Sequence, residues 1–319
     1  MKEKISDTNK IKIAIVGNGA IGMLLACFLS TNKNLQITLY AKRDKAVNSI
    51  NDRGINLISE ENRTDYNINC SLTDNLSEDS DYILLCMKAT DIKAFSDRMK
   101  SLNKNFSNSI FITLQNGMGY HQYLMDNMNF DLLLAGINTY GATRINDNSV
   151  KFAGKGKIVI GDLFSLIGSN KSSVLNFINE LNYSDINAVY SENIIDEMWK
   201  KLCINICINP ITALVRRRNS ALHKSKYYEP LMMKLCDEAL KVAKAEGISL
   251  DYKESLHLIK DIVERTQENK SSMLQDVENN KALEIDYITG YVINLGKKHN
   301  IDTTANEIIY NLINIMNGK

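Results

Sequence analysis

The segment Trp199-Lys-Lys201-Leu-Cys-Ile-Asn205-Ile-Cys-Ile-Asn209-Pro-Ile-Thr-Ala-Leu214 is apolar on almost every side. That pattern reads as a buried helix. Lys201, Asn205 and Asn209 break it at i, i+4 and i+8, within roughly 80° of one another around the helix axis. One cation and two amides on a buried stripe are costly unless something satisfies them. A polar substrate would do so. The plainer alternative is a set of internally paired core amides beside a surface lysine. A lysine in this place suits the reduction of a ketone. Hydride addition leaves an alkoxide, which needs a proton donor within hydrogen-bond reach and a positive charge nearby. Lys201 can be both. Lys200 competes, but it lies about 100° away and off the stripe. The four histidines, at 121, 223, 257 and 299, are scattered, and none is favoured as catalyst or ligand.

A hydride needs a carrier, and the N-terminal region offers a place for one. An apolar run from Lys12 ends at Gly17-Asn18-Gly19-Ala20-Ile21-Gly22, and an apolar helical pattern follows at once. This is strand, tight turn and helix with G-x-G-x-x-G spacing, the arrangement that holds a dinucleotide. Gly17 serves the turn, Gly19 the approach of a pyrophosphate to backbone, and Gly22 the packing of helix on strand. N–H groups at the helix start then face the phosphates. The end of the next strand decides which dinucleotide. It reads Gln36-Ile-Thr-Leu-Tyr40 and continues Ala41-Lys42-Arg43-Asp44. Basic residues come first, so Lys42 and Arg43 favour a 2′-phosphate and hence NADPH. A slip of one or two residues would bring the Asp44 carboxylate there instead. Lys88, and Asn116 in Gln115-Asn-Gly-Met-Gly119, each follow a further strand at its carboxyl end, where such sheets bind ligands. A solvated strand end and ordinary Asn-Gly turn chemistry would account for them equally well.

These residues need a scaffold, and the chain of 319 residues is long enough for two domains. Short apolar runs at 11–16, 36–40, 82–87, 109–115 and 132–138 alternate with helical patterns, the rhythm of a parallel sheet with crossovers. Runs at 150–153 and 157–160, split by Gly154-Lys-Gly156, predict a hairpin at the sheet edge. A helix near 171–181 and a strand near 186–190 follow. From about residue 191 helical patterns take over, at 194–215, 231–246, 253–264, 286–298 and 304–316. The expected fold is α/β: a Rossmann-type doubly wound sheet over 1–190, then an all-helical substrate domain over 191–319, with substrate in the interdomain cleft. Net charge is +1, which gives no general attraction to nucleic acid or membrane. No apolar run is long enough to span a bilayer. The polar first ten residues read as a frayed tail without a signal peptide's apolar core. The six cysteines sit mostly in apolar runs with no C-x-x-C pair, as in a reduced cytoplasmic protein, and no metal set is apparent.

Taken in order, GNGAIG, CMKATD, QNGMG, WKKLCINICINPITAL, SSMLQD and EIDYITG resemble the ketopantoate reductases, from Gly17 almost to the C-terminus. Such enzymes reduce 2-dehydropantoate to (R)-pantoate with NADPH, on the route to pantothenate and coenzyme A. The resemblance implies that Lys201 is the general acid and that Glu284 orients substrate and lysine. It places Asn205, Asn209, Asn219, Asn269 and Ser272 against the substrate, although Arg216-Arg-Arg218 departs from the family's neutral run beside Asn219. It puts Lys88 and Asn116 on the cofactor side, near the reacting centre, and gives Lys42 to the 2′-phosphate. Residue chemistry alone leaves other roles open. Ser272-Met-Leu-Gln275 also fits a capping box, and Glu284 and Asp286 also fit acids in a helix's first turn.

Two other readings remain. The chain could reduce a different small 2-oxo or 3-oxo acid, or sense NADP(H) without turnover. A sensor needs the glycines and Lys42 but neither Lys201 nor Glu284. The helical domain could support a homodimer, but no periodicity demands one.

Overall fold

The structure is a computed structural model that describes residues 10–60 and 62–318. Apart from Lys10, the expected N-terminal tail lies outside the described residues. The chain forms two compact units. One comprises the residues up to Gln115 together with His121–Ile194; the other comprises Asn116–Tyr120 and everything from Ile195 onward.

The first unit alternates strand and helix: β1 (Ile11–Val16), α1 (Ala20–Leu29), β2 (Leu35–Ala41), α2 (Asp44–Arg53), β3 (Ile55–Ile58), β4 (Arg63–Tyr66), β5 (Asn69–Leu72), β6 (Tyr82–Leu85), α3 (Ile92–Ser101), β7 (Phe106–Thr113), α4 (Tyr120–Asn127), β8 (Phe130–Asn138), β9 (Gly141–Arg144), β10 (Ser149–Gly154), β11 (Ile158–Gly161), α5 (Lys171–Tyr183) and β12 (Ala188–Tyr190). Eight strands form the main sheet, in the order β12-β11-β8-β7-β6-β1-β2-β5. All neighbours pair in parallel except β8 and β11. The chain leaves β1 toward β2 on one side and returns to β6 on the other. The carboxyl ends of β1 and β6 therefore form the topological switch point, where open α/β sheets bind ligands.

A second sheet of four strands, β4-β3-β10-β9, was not expected. It explains why α1 is apolar on nearly every side, since α1 contacts β2 and also β3, β9 and β10. Phe28 of α1 meets Tyr140 and Phe152 edge-on at ring-centroid separations of 6.3 and 5.8 Å. The second sheet also overturns the expected hairpin. β10 pairs with β9 and β3, while β11 pairs with β8 and β12 in the main sheet. Thr139 captures the chain between them: its N–H donates to the Lys157 carbonyl at 3.0 Å, and its Oγ1 accepts from the Lys157 N–H at 2.8 Å. A Cβ on Gly156 would lie 2.4 Å from backbone of Thr139 and Tyr140, so only glycine permits this close passage.

The second unit is helical: α6 (Ile194–Val215), whose first residue belongs to the first unit, then α7 (Ser220–His223), α8 (Tyr228–Ala245), α9 (Tyr252–Arg265), α10 (Ser272–Glu278), α11 (Thr289–His299) and α12 (Thr304–Met316). Pro210 inside α6 removes one backbone donor from the ladder. Buried Glu238 of α8 caps α12, its carboxylate accepting from the Ala305 and Asn306 backbone N–H groups at 3.1 and 3.0 Å. The helix expected at 286–298 begins only at Thr289. A short 3-10 turn, Ile285–Tyr287, precedes it, and the backbone breaks at Ile288 (φ −103°, ψ −89°). Among the described residues no helix is long and apolar enough to cross a membrane.

Candidate active site

The glycine turn sits at the switch point, and Gly17 and Gly22 each have a steric reason. Gly17 has φ +111°, and a Cβ there would lie 2.6 Å from the Met87 nitrogen just past β6. A Cβ on Gly22 would lie 1.9 Å from the Gly17 carbonyl oxygen, so the turn and the first turn of α1 are packed backbone to backbone. Gly19 is different, with only the Cys86 carbonyl near it, at 3.8 Å. It is the N-cap of α1 and caps no N–H with a side chain, so the donors of Ala20, Ile21 and their neighbours are left for a ligand. The Asn18 side-chain nitrogen is buried without a protein partner. An anionic oxygen of a pyrophosphate would satisfy both, so these residues fit a dinucleotide.

Beyond β2, Lys42 is exposed, with its ammonium 3.7 Å from the Asp91 carboxylate. Arg43 is the N-cap residue of α2 and pairs with Asp147 at 2.9 Å; Arg144 binds the same carboxylate oxygen. Asp44 lies in the first turn of α2, where a negative charge complements the helix dipole. Lys88 is half-buried after β6, and its carbonyl accepts the Asp91 N–H at 2.9 Å. Gln115 is buried, and its amide donates to the Leu85 carbonyl at 2.9 Å, tying the ends of β6 and β7 together.

In the helical unit, Lys201 is half-buried on α6. Burial pulls its pKa down from 10.5 to about 8, and the Glu284 carboxylate opposes that pull. Glu284 is buried at the N-cap of the 3-10 turn, and Asn116 Nδ2 donates to its Oε2 at 3.4 Å. The acids of the EID segment therefore do not occupy the first turn of α11. They diverge instead: Glu284 faces Asn116 and Lys201, while Asp286 accepts from the Tyr310 hydroxyl at 2.6 Å and ties α12 to the turn.

Asn209 and Ser272 come together, with Asn209 Nδ2 3.5 Å from the Ser272 hydroxyl oxygen. The alternative capping-box role of Ser272 is not realised, and the cap lies one residue earlier. Ser271 caps α10 by accepting the Leu274 N–H at 3.1 Å, and Gln275 donates to the Lys270 carbonyl at 3.1 Å instead of bonding a backbone N–H. Thr212 of α6 holds Ser271 from behind at 2.7 Å. Ser272 is exposed and free of the capping duty. Asn205 is half-buried on α6.

Asn219 and Asn269 adjoin through backbone, the Asn219 N–H donating to the Asn269 carbonyl at 3.1 Å. The Asn219 amide donates to Thr266 Oγ1 at 2.8 Å, which leaves its oxygen buried and unpaired. Asn269 itself is exposed. Arg218 donates to the Glu268 carbonyl at 2.8 Å, so part of the arginine cluster clamps this loop. Sequence reading missed Thr212, Thr266 and Ser271, and gave Arg218 no role. The only sequence signal for Ser271 was a second serine beside the first. All six cysteines are free thiols, and the described residues contain no metal-binding group of three or more His, Cys, Asp or Glu.

The glycine turn can hold a dinucleotide, and the Lys201–Glu284–Asn116 group can donate a proton beside polar amides. Residues 13–164 match the family model "Ketopantoate reductase PanE/ApbA", and residues 193–317 match its C-terminal counterpart. The 2-dehydropantoate 2-reductase of Pyrococcus abyssi is 30% identical over 95% of this chain and 97% of its own length. The structure of D-mandelate dehydrogenase with NADH and anilino(oxo)acetate superposes with a TM-score of 0.89, at 23% identity, over 96% of this chain and 98% of that one. The dimeric ketopantoate reductase of Staphylococcus aureus superposes with a TM-score of 0.80, at 22% identity, over 96% and 99%. Matched by both family models and by a relative across nearly its whole length, the chain belongs to the ketopantoate reductase family.

Proposed function

We propose that this protein reduces 2-dehydropantoate to (R)-pantoate with NADPH, a step toward pantothenate and coenzyme A, with Lys201 as the proton donor. The observation that carries the reading is Lys201 itself, half-buried, with its pKa pulled down to about 8 by burial, a pull that the charge of Glu284 opposes. When bound, NADPH would supply the hydride that adds to the carbonyl carbon. The residues of the chain do the rest. Lys201 stabilises the developing alkoxide and gives it one Nζ proton, which solvent later replaces. Glu284 keeps the lysine charged before the transfer, and Asn116 holds Glu284 in place. Asn205, Asn209, Asn219, Asn269 and Ser272 supply amide and hydroxyl groups for the carboxylate and hydroxyl of the substrate. Gly17, Gly19 and Gly22, with the backbone of Asn18, Ala20 and Ile21, would hold the pyrophosphate. Lys88 would serve the cofactor side of the site, near the reacting centre.

Lys42 supports NADPH over NADH, because an exposed ammonium just past β2 suits a 2′-phosphate. D-mandelate dehydrogenase, solved with NADH, shares the fold and supports a second reading, a family member that reduces another small 2-oxo acid. A pure NADP(H) sensor would not use the Lys201–Glu284 pair. The free thiols suit a cytoplasmic enzyme, and the dimeric relative makes a homodimer the state to look for by sedimentation. NADPH oxidation with 2-dehydropantoate, beside phenyl- and alkyl-substituted 2-oxo acids, tests the proposal. Turnover preferring 2-dehydropantoate supports it. Tight NADPH binding with no such turnover overturns it.

A further inference from the structure

Within the helical unit, the groups around Lys201 lean on three tyrosines, Tyr120, Tyr287 and Tyr291, that neither the glycine motif nor the asparagine stripe points to. The Met118 N–H donates to the Tyr287 carbonyl at 2.8 Å, and the Tyr120 and Tyr287 rings meet edge-on at 6.0 Å. These contacts lash the segment carrying Asn116 to the 3-10 turn that carries Glu284. One helical turn on, half-buried Tyr291 touches the same segment. A Cβ on Gly119 would lie 2.8 Å from the Tyr291 ring, so the ring lies flush against bare backbone. The ring also packs against Trp199, at a centroid distance of 6.0 Å. Trp199 is 1% exposed and sits on α6, two residues before Lys201. A single rigid ring thus bridges the backbone that carries Asn116 and the helix that carries the lysine.

We propose that Tyr291 is a positioning residue, whose ring sets the placement of Lys201 relative to the Asn116–Glu284 pair. Its hydroxyl plays no part in this, because both contacts are made by ring atoms. The inference rests on Lys201 being the proton donor, and the experiment separates the two ideas. Tyr291→Phe, Tyr291→Met and Tyr291→Leu are made in the full chain. Each is assayed for kcat and KM across pH, for NADPH affinity by fluorescence, and for the titration of Lys201 by pH-dependent labelling with an amine reagent, read by peptide mass spectrometry.

Tyr291→Phe should match the parent in every readout. Tyr291→Leu and Tyr291→Met should shift the labelling titration of Lys201 and lower kcat by about tenfold or more, as misplacement of a catalytic group does. NADPH affinity should stay within about twofold, because the glycine turn is untouched. The flexible methionine keeps most of the bulk without the rigidity, so it carries the test if the leucine variant does not fold. Parent-like kcat and Lys201 titration in a folded leucine or methionine variant overturn the proposal. A Tyr291→Phe variant as impaired as the leucine variant also overturns it, since the hydroxyl would then be the working group. A shifted Lys201 titration with unchanged kcat upholds the positioning role and removes Lys201 from the proton transfer.

Discussion

Replacing Glu284 with glutamine should move the pH dependence of the reaction in a calculable direction. With Lys201 as the proposed proton donor, the rate would require its ammonium form. Burial has lowered its pKa to about 8. The charged form is then lost as pH rises through that value, more than two units below an ordinary lysine. About nine-tenths of the lysine is protonated at pH 7 and about one-tenth at pH 9, so kcat/KM should fall roughly tenfold between them. An unshifted lysine would leave that interval flat. Glu284 opposes the effect of burial, so its carboxylate holds the pKa higher than burial alone would. A nearby opposite charge typically contributes about one unit or more, and Glu284→Gln removes it while keeping the shape. The descending limb should move down by about that amount. At pH 8 the variant should then run at roughly a fifth of the parent rate, and at pH 6 most of the deficit should vanish. Initial rates of NADPH oxidation at saturating cofactor, with kcat/KM for the oxo acid taken from pH 6 to 10, read both limbs. A parent limb above pH 10 would refute the assignment of Lys201. A variant limb that stays put or moves upward would refute the role given to Glu284.

Lys201→Ala should lower kcat by about a hundredfold or more at pH 7, with NADPH affinity unchanged by fluorescence titration, as expected for loss of a general acid. Lys42→Ala should weaken NADPH far more than NADH in parallel titrations; equal loss for both would move recognition of the 2′-phosphate to another residue. The neighbouring serines should separate cleanly. Ser271→Ala removes the cap of α10 and should cost about 1 kcal/mol of stability in urea unfolding. Ser272→Ala should leave stability within about 0.5 kcal/mol and raise KM for the oxo acid instead.

Different parts of this molecule were legible for different reasons. The 22 residues of α6 could be bounded because a long apolar pattern with a polar stripe has few alternatives. β1, Gly17 and α1 were legible because the glycine spacing answers a steric demand that the structure shows at 1.9 and 2.6 Å. The second sheet was not legible. β4 reads Arg-Thr-Asp-Tyr with three of its four residues exposed, so it carries neither an apolar run nor alternation. Missing that sheet is also what turned β10 and β11 into an imagined hairpin. Within the site, periodicity alone singled out Lys201, Asn205 and Asn209. Glu284, Asn219, Asn269 and Ser272 entered through resemblance, because each lies in a segment whose local pattern fits a cap or a turn equally well. The bond between Asn116 and Glu284 spans 168 positions, and no local rule reaches so far.

The path of the backbone between the two compact units limits how this protein can be divided. It enters the helical unit at Asn116, leaves after Tyr120, and returns at Ile195. The helical unit is therefore not a consecutive stretch of sequence. A gene fragment encoding only residues 195–319 would carry Lys201 and Glu284 but not the Asn116 that Glu284 accepts from, nor the backbone that lies against Tyr291. Recombination at the 194/195 junction would graft a foreign loop onto this chemistry with every crossover. Exchanging the helical unit as a whole would therefore need crossovers on both sides of Asn116–Tyr120 as well as at Ile195.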